Sequence, residues 1–343
     1  MNYLISGCSG FIGSHLAEAL ASPDNCIVGI DDLSGGRREN MEPAKAKAKG
    51  NFIFLQGQLG LMDYNDLLSL LTDVDVVYHL AADATEGRSQ FTPWRCTSDG
   101  LLASNQIFAA ACQAKVKRIV FTSSMAIYGE GQPPFKEYDT PAPSDIYGWN
   151  KYAAEESLKI LAKLHGVEYT ILRPHNVFGP RQNMADPYRN LVAIWLNSYL
   201  SGKKCFIYGR GTQTRQFTYI QDLIPLLDIA GYARETKNST FNVGSSKEWS
   251  LNELAHFIAI LLDREDGEMF SDLPARPLDV ERAVSDNSLW GMVTGTKMIE
   301  TPLQVALEKT IRWAEEHGPE HPQYMPLEID NEQVPVVWKE RMI

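Results

Sequence analysis

Short apolar segments, separated by polar or glycine-containing stretches, recur through the first half of the chain. They are rich in Val, Ile and Phe, and they cover residues 3–6, 26–31, 51–57, 74–81, 118–124 and 168–174. Continuous apolar runs of this length are typical of strands that are buried on both faces of a sheet. We therefore predict a buried sheet built from these segments.

Helical patterns lie in several of the intervals between the predicted strands. Apolar residues recur at helical spacing in residues 11–21, 64–71, 100–114 and 151–166. Strands that alternate with helices indicate parallel pairing, and right-handed crossovers place helices on both faces of such a sheet. The predicted fold class is therefore α/β, a doubly wound parallel sheet of the Rossmann type.

The alternating pattern ends after residue 174. Beyond it, Pro and Gly interrupt the chain more often, and one longer helix begins near Thr301 and Pro302, which are residues suited to a helix start. We predict that residues 1–174, joined by about 217–242, form the sheet domain. Residues 175–216 and 243–343 are predicted to form a smaller α/β lobe.

Composition and charge exclude several classes of protein. The chain of 343 residues has a formal net charge of −11, which argues against a general nucleic-acid binder. No apolar run reaches the roughly 18 residues of a membrane span, and the N-terminus is strand-like rather than a signal peptide. The five scattered cysteines indicate reduced thiols and no metal site. We expect a cytoplasmic protein without a bound metal.

A glycine-rich turn follows the first predicted strand. The stretch "GCSGFIG" spaces Gly7, Gly10 and Gly13 so that the turn is tight and the backbone can approach a pyrophosphate. Glycines at such a turn can also be purely structural. However, the second strand ends in Asp31, where a carboxylate can bind ribose hydroxyls, and Asp31 with Asp32 should repel a 2′-phosphate. The pattern favours a dinucleotide, and NAD over NADP.

Tyr147 and Lys151 lie four positions apart at the start of a predicted helix, and hence on one face. A lysine ammonium there would stabilise the tyrosinate and lower the pKa of the phenol. Such a tyrosine can take a proton from an alcohol as hydride leaves to nicotinamide. A Tyr and Lys at this spacing are more often a surface feature, but here they follow the glycine turn and Ser123/Ser124 in chain order.

The chain resembles the extended short-chain dehydrogenase/reductase family, and within it the NAD-dependent nucleotide-sugar epimerases and dehydratases. The resemblance runs over nearly the whole chain, in "GCSGFIG", "DDLSGGRREN", "HLAA", "VKRIVFTSSMAIYG", "YGWNK", "LRPHNVFGPRQN", "IYGRGTQTRQFTYIQD" and "FNVGSS". It implies that the sheet domain binds NAD and that the smaller lobe binds a nucleotide sugar. It also implies a homodimer built on the helices near residues 100–114 and 150–164, although a face buried within one chain would show the same pattern.

Catalytic and cofactor residues follow from the same resemblance. It implies Tyr147 as catalytic base and acid, Lys151 on the nicotinamide ribose, and Ser124 as the hydroxyl partner of the reacting oxygen. The implied cofactor residues are Gly7, Gly10, Phe11, Ile12, Gly13, Asp31, Asp32, Gln58, Leu59, Leu80, Ala81, Ala82, Thr122, Tyr147, Lys151 and Pro174.

Substrate residues are implied in the loops beyond the strand ends. Asn176 would contact the sugar diphosphate, and Arg215 and Arg276 would clamp it as arginines commonly bind phosphates. The full set of implied substrate residues is Thr85, Glu86, Ser124, Met125, Asn176, Arg181, Arg215 and Arg276.

The segment after the fifth strand distinguishes the possible reactions. Relatives that dehydrate or decarboxylate carry an acid here, whereas this chain has Met125 and Ala126. Neither side chain can transfer a proton, so the resemblance is greatest to UDP-glucose 4-epimerases, which act on UDP-hexoses through a transient 4-keto sugar. The alternative is a nucleotide-sugar dehydratase, decarboxylase or other NAD-dependent oxidoreductase, for which Glu86 would have to replace the missing acid.

Three positions depart from the family pattern. Gln58 replaces an Asp that is usual near the adenine, Asp99 replaces an Asn, and Arg210 replaces an Asp. None touches the chemical step directly. An amide at position 58 can still bind adenine, so NAD remains the expected cofactor.

Overall fold

The computed structural model describes residues 1–275 and 280–343. The strands in the described ranges are β1 (Asn2–Ser6), β2 (Cys26–Asp31), β3 (Phe52–Gln56), β4 (Val76–His79), β5 (Arg118–Thr122), β6 (Glu168–Pro174), β7 (Val177–Phe178), β8 (Cys205–Tyr208), β9 (Thr214–Gln216), β10 (Thr218–Tyr219), β11 (Ser239–Val243), β12 (Glu248–Ser250), β13 (Phe270–Leu273) and β14 (Arg282–Ala283). The α-helices are α1 (Phe11–Leu20), α2 (Glu42–Ala48), α3 (Tyr64–Leu70), α4 (Glu86–Ser89), α5 (Pro93–Thr97), α6 (Ala103–Ala114), α7 (Ile146–His165), α8 (Leu191–Leu200), α9 (Ile220–Tyr232), α10 (Leu251–Leu261), α11 (Asp266–Met269), α12 (Ser288–Thr294), α13 (Leu303–His317) and α14 (Val336–Lys339).

A seven-stranded sheet in the order β3-β2-β1-β4-β5-β6-β11 forms the centre of the structure. Every neighbouring pair in it is parallel. The direction of winding reverses between β1 and β4, and in a doubly wound sheet that reversal opens a crevice at the carboxyl ends of the strands. The predicted doubly wound α/β fold is confirmed, and each predicted strand is present within one or two residues of its expected ends.

Both faces of the sheet are covered because the strands place alternate apolar side chains on opposite sides. On one face, Tyr3 and Ile5 pack with residues of α1, α2 and α9. On the other, Leu4 packs with residues of α3, α6 and α7. Apart from the edge strand β3, where Ile53 is exposed, both faces of the sheet are largely buried, which explains why its strands read as continuous apolar runs.

Smaller sheets lie beyond β6. Strands β9, β12 and β14 form one, and the pairs β8 with β13 and β7 with β10 form two others. Strand β11 joins the main sheet after α9, so the chain returns to this sheet before continuing. The division into two domains at the predicted boundaries stays a prediction.

One helix start agrees with the expectation from the sequence, and another differs from it. Helix α7 begins at Ile146, after Asp145 accepts a hydrogen bond from Gly148 N at 2.7 Å, so Tyr147 and Lys151 both lie within it. Thr301 does not cap α13, contrary to the prediction. Its hydroxyl and main-chain N instead donate to the carboxylate of Asp222, each at 2.7 Å, and the helix starts after Pro302 without a side-chain cap.

No helix among the described residues has both the length and the apolar composition that a membrane span requires. All five cysteines are free, and only Cys26 is not buried.

Candidate active site

A cavity of about 890 Å³ opens at the carboxyl ends of the central strands, where the winding of the sheet reverses. Its walls come from the loops after β1, β2, β4 and β5, from the start of α7, and from the region beyond β6. Because parallel strands all end at the same edge, residues far apart in sequence meet here.

Two glycines of the turn after β1 lie too close to main-chain atoms to be replaced by residues with a side chain. Gly7 has a φ of +75°, and a Cβ placed on it would lie 2.9 Å from the main-chain N of Ala81. A Cβ on Gly13 would lie 1.9 Å from Gly7 O, so the turn could not close against α1. The backbone of this turn and the N-terminus of α1 face the cavity, as a pyrophosphate site requires.

Asp31 lies at the end of β2 and is held by two main-chain donors. Its carboxylate accepts hydrogen bonds from Ser9 N at 3.0 Å and from Leu33 N at 2.8 Å. These contacts fix the side chain beside the glycine turn, where it lines the cavity. The position suits a carboxylate that binds ribose hydroxyls and repels a 2′-phosphate.

Every residue that the sequence predicted to bind the cofactor lines this cavity. Gln58 and Asp99, which both depart from the family pattern, are in direct contact. Gln58 Nε2 donates a hydrogen bond to Asp99 Oδ1 at 2.5 Å. The two departures from the family pattern are thus paired in space. The side-chain N–H group of Gln58 is therefore bound by Asp99 in this structure.

Tyr147 and Lys151 are on one face of α7, as predicted, and both line the cavity. The Lys151 Nζ donates to Thr122 O at 2.8 Å and lies 5.8 Å from the centre of the Tyr147 ring. Burial lowers the pKa of Lys151 to about 8, and the thiol of Cys96 and the carboxylate of Glu155 oppose that shift. The ammonium is therefore anchored at the end of β5.

The pKa of the Tyr147 phenol differs from the expected direction. Burial, followed by the charge of Glu86, raises it well above its usual value, while Ser124 lowers it. The predicted lowering by Lys151 is wrong for the protein in this structure, because desolvation of the phenolate dominates. Besides Ser124, the charge of Arg189 lowers the pKa of the phenol.

Ser124 lies at the end of the extended segment after β5. Its Oγ accepts a hydrogen bond from Ala126 N at 3.1 Å and so caps a short 3-10 helix, Met125–Tyr128. This cap orients the hydroxyl next to Tyr147. Met125 and Ala126 also line the cavity. The two positions at which dehydrating or decarboxylating relatives carry an acid therefore hold side chains that cannot transfer a proton.

The predicted substrate residues are only partly brought together. Glu86, Ser124, Met125, Asn176 and Arg215 line the cavity. Asn176 has a φ of +40° and donates from Nδ2 to Gln216 O at 2.9 Å, which fixes its amide at the cavity wall. Arg276 lies outside the described residues.

Two of the predicted substrate residues, Thr85 and Arg181, lie away from the cavity, and their substrate roles stay predictions. Thr85 does not face the cavity, because it is fully buried and its hydroxyl donates to Asp83 Oδ1 at 2.7 Å. Arg181 forms an ion pair with Glu18 of α1 and also lies away from the cavity. Both residues occupy irregular loops, where sequence spacing does not determine the direction of a side chain.

Several further residues line the cavity. Arg88 Nη2 donates to both carboxylate oxygens of Asp83, at 2.6 and 2.7 Å, and the guanidinium lies 4.6 Å from the centre of the Tyr188 ring. Arg189, paired with Asp186 at 2.9 Å, and residues of the last 24 positions also line the cavity. The position of Arg88 agrees with the expectation from the sequence that the "ADATEGRSQF" loop faces the substrate, whereas the C-terminal residues lie in no recognisable motif.

No metal site is apparent: within residues 1–275 and 280–343, no group of three or more His, Cys, Asp or Glu side chains is placed to hold an ion.

Comparisons with known proteins agree with this geometry. A sequence model of the NAD dependent epimerase/dehydratase family matches residues 3–244. A UDP-glucose 4-epimerase of Mycolicibacterium smegmatis is 31% identical over 319 residues, which is 91% of this chain and 98% of the relative. A UDP-N-acetyl-alpha-D-glucosaminuronate decarboxylase of Bacillus cytotoxicus is 32% identical over 265 residues, 74% of this chain and 78% of the relative.

A solved structure is similar over the same length. The UDP-N-acetylglucosamine 4-epimerase from Methanobrevibacter ruminantium, in complex with UDP-N-acetylmuramic acid, superposes with a TM-score of 0.84 at 31% identity. The match covers 92% of this chain and 98% of that structure. With its glycine turn, Asp31, Tyr147 and Lys151 arranged around one cavity, the chain belongs to the NAD-dependent epimerase/dehydratase family.

Proposed function

We propose that this protein interconverts the C4 epimers of a UDP-hexose, of the UDP-glucose/UDP-galactose type, through a transient 4-keto sugar. The proposal rests on the side chains that line the cavity beside Tyr147. Ser124 and Tyr147 present hydroxyls there, while Met125 and Ala126 present no titratable group. This set suits a reversible oxidation at one alcohol carbon and lacks the second acid that elimination requires.

The residues of the chain act on the oxygen at C4. The Tyr147 phenolate takes the hydroxyl proton as the C4–H bond breaks, and the neutral phenol returns a proton when the hydroxyl reforms. Ser124 holds the same oxygen by a hydrogen bond. For the configuration to invert, the keto sugar has to rotate in the cavity between the two steps, so that its opposite face is presented.

Bound NAD supplies the hydride acceptor and donor for C4, together with a positive charge beside the phenol. The glycine turn and Asp31 would hold its pyrophosphate and adenosine ribose, and Lys151 would hold the nicotinamide ribose. Because Lys151 is anchored to Thr122 O at 2.8 Å, its ammonium is fixed before ligands bind.

The second candidate function is decarboxylation or dehydration of a nucleotide sugar, because a decarboxylase occurs among the relatives. It would need Glu86, whose charge reaches Tyr147, to act as the acid. The side chain of Glu86 is exposed. Met125 and Ala126 disfavour this reaction.

A panel of UDP-, dTDP- and GDP-sugars tests the proposal. The purified protein is incubated with each sugar and the products are identified by NMR. We expect inversion at C4 of a UDP-hexose without net change of its oxidation level. A dehydrated, decarboxylated or keto product would contradict the proposal.

We also propose that the protein is a homodimer. The outward face of α7 carries Ile160 and Leu164, which are 65% and 73% exposed, and Trp149, which is 54% exposed. An apolar stripe of this kind on a long helix suits packing against a second copy. Light scattering in solution should give twice the mass of the chain.

A further inference from the structure

The last residues of the chain form part of the cavity. The C-terminal segment, residues 320–343, follows α13 and returns across the mouth of the cavity. Its side chains facing the cavity include two amides among apolar groups: Met325, Ile329, Asn331, Gln333, Pro335 and Trp338.

The C-terminal segment is fixed to the loop that follows β4. The Glu328 carboxylate accepts hydrogen bonds from Trp94 N at 2.8 Å and Arg95 N at 2.9 Å, at the start of α5. The main-chain N atoms of Glu328 and Ile329 donate to Phe91 O at 2.9 and 3.1 Å. These hydrogen bonds fix the C-terminal segment against the chain that follows β4, where it forms one wall of the cavity.

Trp338 packs against Tyr188 and against the loop that follows β4. Its ring lies 5.0 Å from that of Tyr188, and a Cβ built on Gly87 would lie 3.4 Å from its indole. Gly87 follows Glu86, whose charge acts on the Tyr147 phenol. Trp338 therefore packs against the loop that carries Glu86, and Trp338, Glu86 and Tyr147 all line the same cavity.

The two amides lie on a defined turn of the C-terminal segment. Asn331 Oδ1 accepts from Gln333 N at 3.0 Å, and Asn331 O accepts from Val334 N at 3.2 Å. The turn holds Gln333 with an exposed side chain that lines the cavity. An amide beside an aliphatic and aromatic surface matches a hexose, which has hydroxyls at its edges and C–H groups on its faces.

We propose that the C-terminal segment is the wall of the sugar subsite and determines which hexose is accepted. The proposal rests on the proposed function, because it places the sugar at Tyr147 and Ser124. Gln333 then contacts a sugar hydroxyl, and Trp338 limits the size of the substituent that fits beside Gly87. The UDP portion of the substrate does not contact the wall.

Binding measurements separate the sugar from the nucleotide. The affinities of the full-length, NAD-loaded protein for UDP-glucose and for UDP are measured by calorimetry in Gln333→Ala. Losing one hydrogen bond should weaken UDP-glucose about fivefold and leave UDP unchanged. Glu332→Ala, an exposed neighbour that does not line the cavity, is the matched control and should change neither affinity.

Trp338→Leu provides a second variant that keeps an apolar side chain at the buried position. It should retain NAD and UDP binding but lose about tenfold in affinity for UDP-glucose, or accept sugars with larger substituents. Turnover is not needed for these measurements, so they test the wall independently of epimerisation. Equal losses for UDP and UDP-glucose, or no loss in either variant, would overturn the proposal.

Discussion

Lys151 Nζ donates a hydrogen bond to Thr122 O at 2.8 Å, so the helix that carries Tyr147 is tied to the end of β5, where Ser124 follows. The two hydroxyl groups that we assign to the reaction are therefore positioned by one main-chain contact between α7 and the sheet. Because that contact is buried, it resists exchange with water and fixes the geometry before substrate binds.

Replacing Tyr147 by Phe should lower turnover by roughly 10²-fold or more, because no other group replaces the phenol as acid and base. The protein should remain folded and keep NAD, which is measured by its absorbance after release from the protein. Tyr152→Phe, on the same helix but outside the cavity, is the control. Turnover near that of the unmodified protein in Tyr147→Phe would exclude it as the base.

Asp31 should control the choice between NAD and NADP. The unmodified protein is expected to bind NAD at least tenfold more tightly, because a 2′-phosphate would meet a buried carboxylate. In Asp31→Ser that difference should shrink, whereas the exposed Asp24→Ser should leave it unchanged. Titration of the cofactor-free protein measures both, and equal affinities in the unmodified protein would contradict the ribose assignment.

A buried ion pair supports the same helix. Glu155, fully buried on α7, bonds through both oxygens to Arg173 of β6, at 2.9 and 2.6 Å. Glu155→Gln leaves the guanidinium without its counter-charge and should lower the free energy of unfolding by about 3 kcal/mol. Glu156→Gln, its partly exposed neighbour, should change it little. Denaturant titration measures both, and equal values would show that the pair does not stabilise the helix.

The sequence predicted the cofactor side of the site better than the substrate side. Gly7, Asp31 and Thr122 each follow or end a parallel strand, and the sheet itself brings strand ends together. Thr85 and Arg181 lie in irregular loops, where the direction of a side chain depends on partners such as Asp83 and Glu18.

The C-terminal wall was not predictable for a different reason. Its contacts, such as Glu328 with the start of α5, join positions separated by more than 200 residues, without a periodic pattern or a motif. The raised pKa of Tyr147 was missed because burial of the phenol, unlike its distance from Lys151 along a helix, is a property of the whole cavity.

Three buried histidines should make stability depend on pH. Burial lowers the pKa of His79 to about 3, and of His15 and His175 to about 4. Below pH 6.5 the unfolded chain binds protons that the folded chain does not, so stability falls as pH falls. Between pH 6.5 and 5 each contributes a loss of about 2 kcal/mol.

His79→Gln tests this pH dependence, because Gln can still bond with Ser6 and Ser104, the partners of the imidazole at 2.7 and 2.8 Å. The loss of unfolding free energy between pH 6.5 and 5 should decrease by about 2 kcal/mol, whereas the exposed His165→Gln should leave it unchanged. An unchanged slope in His79→Gln would show that His79 is protonated in the folded protein.

The exchange of hydrogen with solvent tests the central claim most directly. The protein is incubated in D2O with the UDP-hexose that it converts, and each carbon of the product is examined by NMR and mass spectrometry. A C4 epimerase moves hydride from C4 and returns it, so no carbon exchanges hydrogen with solvent. We predict a C4-inverted product without deuterium on carbon. Stoichiometric deuterium on C5 or C6 would contradict epimerisation at C4 and would make Glu86 a catalytic acid.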